Sequence, residues 1–109
     1  MGIKLKNNAF ATIPSAFSST ATTITVSSGQ GSRFPILGSG DYFYGTIVDV
    51  NGNLEIVKVT ARFDDTMTIV RAQEDTLAIP FPANSRIESR ITAATLDEYI
   101  IQRGAILLE

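Results

Sequence analysis

Cysteine and histidine are both absent from this 109-residue sequence. The first absence excludes a disulfide framework, a thiolate nucleophile and a zinc–thiolate site. The second removes the commonest general base and the commonest transition-metal ligand, and with them every Ser-His or Cys-His catalytic arrangement. Neither sign of charge dominates: 11 acidic and 9 basic residues leave a formal net charge of −2, without the basic stripe that a nucleic-acid backbone requires. No apolar run approaches the roughly 20 residues that span a bilayer. The opening Met1-Gly2-Ile3-Lys4-Leu5-Lys6-Asn7 lacks the apolar centre of a signal peptide, and Lys6 stands where a myristoylation start carries Ser or Thr. These absences predict a soluble protein made in the cytoplasm that is no enzyme, carries no cofactor or metal, and binds neither nucleic acid nor membrane.

What remains is enough to fold. A length of 109 residues suits one domain, and contents of 44% hydrophobic and 18% charged residues lie near globular averages. In residues 15–28, Thr22, Ile24 and Val26 share one face while Thr23 and Thr25 point to the other, the pattern of a half-exposed strand. Gly29-Gln30-Gly31 and Gly38-Ser39-Gly40 lead into Pro35 or β-type residues and lack the Gly-Lys-[Ser/Thr] of a phosphate-binding loop, so they read as surface loops around Phe34-Pro35-Ile36-Leu37.

Asp41 to Arg62 reads as a hairpin around Asn51-Gly52-Asn53. A type I′ turn at Asn51-Gly52 would set Ile47 opposite Ile56, Tyr44 opposite Val59 and Asp49 opposite Leu54. A three-residue loop would instead place Asp49 against Glu55, so the two-residue turn is the expectation. A turn at Asp64-Asp65 leads to a third strand, Met67–Arg71. Residues 72–84 contain Pro80 and Pro82 and form an excursion. Ser85 to Ile91 alternates again as a fourth strand with one wet side. Thr95-Leu96-Asp97-Glu98 matches a capping box before a short helix that Gly104 stops. The expected fold is therefore mainly β, a small antiparallel sandwich or barrel-like meander with one short C-terminal helix. It divides into an N-terminal arm (1–14), a β-domain (15–94) and a helix with an apolar tail (95–109).

The acid pairs Asp64-Asp65, Glu74-Asp75 and Asp97-Glu98 fit turns or a helix first turn better than a carboxylate dyad or a calcium loop. Tyr42, Phe43, Tyr44 and Phe63 fit core packing better than a base-stacking platform, because only Lys58 and Arg62 supply nearby cations. The apolar residues that an idle tail would not carry are Leu5, Phe10 and Ile13 in the arm and Ile106, Leu107 and Leu108 at the other end. They are the expected contacts with neighbouring subunits of a homo-oligomer.

The order of segments resembles a family of small tailed-bacteriophage virion proteins. The likeness spans about residues 17–92: Ser19 to Val26, Phe34-Pro35, Gly40 to Tyr44, Glu55 to Arg62, then Met67 to Thr76 and Ala83 to Glu88. The last two segments are similar to a family pattern T-V-x-R-G-Q-x-G-T followed by A-G-x-x-V, with Ala72 and Asp75 standing where the family has glycine. The resemblance implies a small β-domain in the virion, an adaptor attaching fibres or other appendages to the tail through contacts with other virion proteins, and carries over no catalytic residue. A capsid decoration protein is the runner-up, and a carbohydrate-binding module for host recognition the third expectation.

Overall fold

Val57 and Val59 alternate with Lys58 and Thr60, and Met67 and Ile69 with Thr68 and Val70; a period of two buries one row of each pair and leaves the other wet. The computed structural model describes residues 2–6 and 9–90. Its strands are β1 (Gly2–Ile3), β2 (Phe10–Ile13), β3 (Thr23–Thr25), β4 (Asp41–Val48), β5 (Leu54–Phe63), β6 (Thr66–Gln73) and β7 (Ser85–Glu88), with a short 3-10 helix at Gln30–Arg33. The helix and apolar tail expected over 95–109, and Ile91, lie outside the described residues.

The strands form one antiparallel sheet in the order β2-β7-β4-β5-β6-β3, and β1 runs parallel beside the start of β4, beyond the reach of the short β7. The sheet curls until its two outer strands nearly meet: the Ser27 N–H donates to the Thr12 carbonyl at 2.9 Å, next to the end of β3. This is a mainly β, barrel-like fold. Inside it lie Phe34, Phe43, Ile47, Val57, Val59, Met67, Ile69 and Ile87. Phe81, from the Pro80–Pro82 excursion, closes one end by stacking on Phe17 at 5.3 Å between ring centres.

Residues of the expected arm belong to this domain. Ile3, Ala9, Ala11 and Ile13 are buried, because burying their apolar side chains outweighs leaving a loose segment in water. Ile13 is 1% exposed and lies in the core, so Leu5 and Phe10 are the arm's exposed apolar residues.

The β4–β5 register differs by one residue from the expected one. Val48 pairs with Leu54 and Ile47 with Glu55, leaving a five-residue loop, Asp49–Asn53. The Asp49 carboxylate closes that loop, accepting from the Asn51 and Asn53 amides at 2.8 and 3.0 Å and from the Asn53 side chain at 2.9 Å. Its pKa is lowered, first by the Asn53 side chain, with burial opposing. The one-residue slip puts Glu55, not Ile56, on the inner face.

Between Ile56–Gln73 and Lys58–Val70 the β5–β6 pairing shifts, so that Arg71 and Ala72 together oppose Val57. Ala72 has φ +57, the left-handed conformation that such a bulge favours. An L-residue there costs about 1 kcal/mol or more, so Ala72→Gly is expected to raise the urea midpoint by an amount equivalent to about 1 kcal/mol at unchanged m-value.

Candidate functional site

The chemistry of the fold is concentrated where the bulge turns Arg71 inward. Glu55 is fully buried, and its carboxylate takes both forks of the guanidinium: Arg71 Nε to Oε2 at 2.7 Å and Nη2 to Oε1 at 2.8 Å. Two backbone amides complete the carboxylate, Ala72 N–H to Oε2 at 2.9 Å and Ile79 N–H to Oε1 at 3.0 Å. The remaining guanidinium hydrogens reach carbonyls, Nη1 to Ser18 and Ala21 at 2.7 and 3.1 Å and Nη2 to Ile79 at 2.6 Å. All five donors of the arginine are thereby used. Burial alone would push the Glu55 carboxyl up, but the Arg71 fork, the Ile79 and Ala72 amides and the Arg71 charge together hold it below its ordinary value. With every lone pair committed to a donor, the pair is equipped to fasten the 17–21 and 74–81 loops onto the barrel, not to move protons.

The sequence reading does not pick out this pair, since it weighs Glu55 only for its repulsion of Asp49. The signal was present: Glu55 is in phase with Val57 and Val59, and Arg71 with Met67 and Ile69.

The acid pairs are scattered. Asp64-Asp65 forms the β5–β6 turn, where Asp65 accepts the Gly29 and Gly31 amides at 3.1 and 2.9 Å. Its pKa is lowered by the Gly29 and then the Gly31 amide, against the smaller effect of burial. The glycine loop thus does hold an anion, the protein's own carboxylate. Glu74 and Asp75 sit in the turn after β6, both at positive φ, and Asp97-Glu98 lies outside the described residues. Among the described residues no three acidic side chains gather as they would around a metal ion.

Of the four aromatics assigned to the core, Phe43 and Tyr44 are buried, whereas Phe63 is 81% exposed at the end of β5. Lys58 Nζ lies 4.3 Å from the centre of the Tyr42 ring. Phe10, half exposed on the outside of β2, has two guanidinium groups near its ring, Arg33 and Arg86, each 5.1 Å from its centre. Ile106, Leu107 and Leu108 lie outside the described residues. Beyond Phe10 and Leu5, the exposed large apolar residues include Ile36, Val50 and Leu77, none of which the sequence pattern marks as a contact.

Among the clefts that cut the surface are two shallow ones. One, of about 220 Å³, runs between Val50 and the outward Arg86 and Glu88 of β7. The other, of about 190 Å³, lies between the end of β2 and β3, lined by Ile13, Ser15, Ala16, Thr23 and Thr25 among others. Among the described residues no helix is long and apolar enough to cross a membrane. No protein-family model matches the chain, and no curated protein matches it.

Proposed function

We propose that the protein is a non-enzymatic structural component of a tailed-bacteriophage virion, an adaptor through which fibres or other appendages join the tail. The observation that carries this reading is conformational. The family pattern has glycine at the positions of Ala72, Asp75 and Asn84, and all three residues here adopt left-handed backbone, with φ of +57, +64 and +69. Only glycine adopts that region freely, so the backbone meets the demand that the pattern encodes although the residues differ. The arginine of the same pattern corresponds to Arg71, the inward side chain of the bulge. The exposed apolar residues Leu5, Phe10, Val50, Phe63 and Leu77 give a small domain several surfaces suited to protein contacts.

The test is mass spectrometry of purified phage particles, followed by cryo-electron microscopy of the same particles. The protein is expected in stoichiometric amount at the junction between tail and appendages. Its absence from particles would overturn the reading, and density on the capsid shell would replace it with the decoration role.

A further inference from the structure

Cations gather on the outer face of β2 and β7. Phe10 and Thr12 point outward from β2, opposite Glu88 and Arg86 of β7. The Arg33 guanidinium reaches in from the 3-10 helix and donates to the Phe10 carbonyl at 3.3 Å. Lys6 donates to the carbonyl of the preceding residue, Ser32, at 2.8 Å. Arg33 and Arg86 both lie over the Phe10 ring, so their charges are no further apart than twice the 5.1 Å that separates each from its centre. Like charges held this close repel, and the acid that answers them is Glu88, 3.9 Å from Arg86 and 2.7 Å from Arg90. Among the described residues no acid pairs with Arg33 or Lys6, and the Arg86 guanidinium makes no hydrogen bond. Lys6, Arg33, Arg86 and Arg90 are all exposed, so their field is open to an anion from solution.

Beside this patch lies the cleft of about 220 Å³, which shares Arg86 and Glu88 with it and is lined further by Val48, Asp49 and Val50. Val50 is 87% exposed there. We propose that patch and cleft together dock a short acidic segment of a partner protein, which sets a carboxylate between Arg33 and Arg86 and an aliphatic side chain against Val48 and Val50. Guanidinium groups suit the task because their planar forks match a carboxylate, and the Phe10 ring supports both without taking a donor from either. Arg33 has used one donor on the Phe10 carbonyl, and Arg86 has all of its own to give. The Asp49 carboxylate does not compete for them, being held by the Asn51 and Asn53 amides and the Asn53 side chain. A nucleic-acid backbone fits less well. It carries a charge on every unit and would meet Glu88 and Asp49 in the cleft, where a peptide can place an uncharged residue. The inference rests on the reading of the protein as an adaptor built for protein contacts, and adds the surface and the chemistry of the segment it receives.

The test is an amide chemical-shift titration of the isolated full-length protein with a short blocked peptide of alternating glutamate and leucine. Shifts are expected to cluster at Phe10, Arg33, Arg86 and Val50, and the affinity to fall as salt is raised. Arg33→Gln and Arg86→Gln are each expected to weaken binding roughly two- to fivefold, the range for exposed charge pairs. Both side chains are exposed and bond at most one backbone carbonyl, so the variants keep the fold. Lys58→Gln, on β5 two strands from β7, is expected to bind as wild type does. Silence toward the peptide, or shifts that ignore the arginine variants, would overturn the proposal. So would equal binding of a glutamine-for-glutamate peptide, which would leave an apolar contact alone. Tighter binding of oligothymidylate at the same amides would give the patch to nucleic acid instead. A salt-sensitive self-association that Arg33→Gln weakens would give it to a second copy of the chain. Failure here leaves the particle result untouched, and absence from particles leaves the peptide result standing.

Discussion

Glu55→Gln is expected to cost about 3–5 kcal/mol of unfolding free energy, the range for removing one partner of a buried ion pair. For a domain of this size that lowers the melting temperature by roughly 12 °C or more. The amide keeps the shape of the carboxylate but turns one oxygen into an NH2 that confronts donors already in place, the Arg71 fork and the Ile79 or Ala72 amide. Arg71→Lys is expected to lose a comparable amount, because an ammonium cannot serve both carboxylate oxygens and the Ser18, Ala21 and Ile79 carbonyls together. Replacing both partners by leucine, which is often neutral for a buried pair, is not expected to restore stability here. Five backbone groups, the Ser18, Ala21 and Ile79 carbonyls and the Ala72 and Ile79 amides, would lose their partners with the pair. Urea titration of the single and double variants separates these outcomes, and a double variant as stable as wild type would refute the fastening role.

The same pair sets a pH dependence. Because the Glu55 carboxyl titrates below its ordinary value in the folded protein, the unfolded chain takes up the proton first as pH falls. The stabilisation is present in full above the ordinary glutamate range, about pH 5, and is lost as pH drops through the folded value. Asp49 and Asp65 are lowered as well and act in the same direction. Wild type is therefore expected to lose stability steeply on acidification below about pH 5, and Glu55→Gln, with one fewer such group, less steeply.

The strands were legible and their register was not. Alternation over 54–60, 66–70 and 85–88 marks sheet, since burial of one face leaves a period-two trace. The observed β4–β5 register is neither the two-residue turn nor the loop that would set Asp49 against Glu55. The Asp49 carboxylate organises a five-residue loop of its own, and Glu55 pairs with Ile47 where Arg71 meets it, neither of which a turn dipeptide encodes. The core role of Phe81 was hidden by flanking prolines, which signal irregular backbone but say nothing of where an irregular segment buries its side chains. The bulge at Arg71-Ala72 leaves no mark in a residue pattern when alanine occupies the position that glycine would advertise.

Gly31→Ala is expected to be the second severe lesion, at about 3 kcal/mol, and for a reason unlike that of its neighbour Gly29. A Cβ on Gly31 would overlap the Asp64 carbonyl and the Asp65 Cα, which are backbone atoms of the tight β5–β6 turn and cannot swing aside. Gly29 has φ +82 but nothing near its added Cβ, so Gly29→Ala carries only the left-handed penalty of about 1 kcal/mol. The close approach is what lets the two glycine amides reach the Asp65 carboxylate, locking the loop that carries Phe34 into the core. Melting curves of the two alanine variants decide between the causes. A larger loss at Gly31 than at Gly29 follows from packing of the loop against the turn, whereas equal losses would mean that backbone conformation alone requires both glycines.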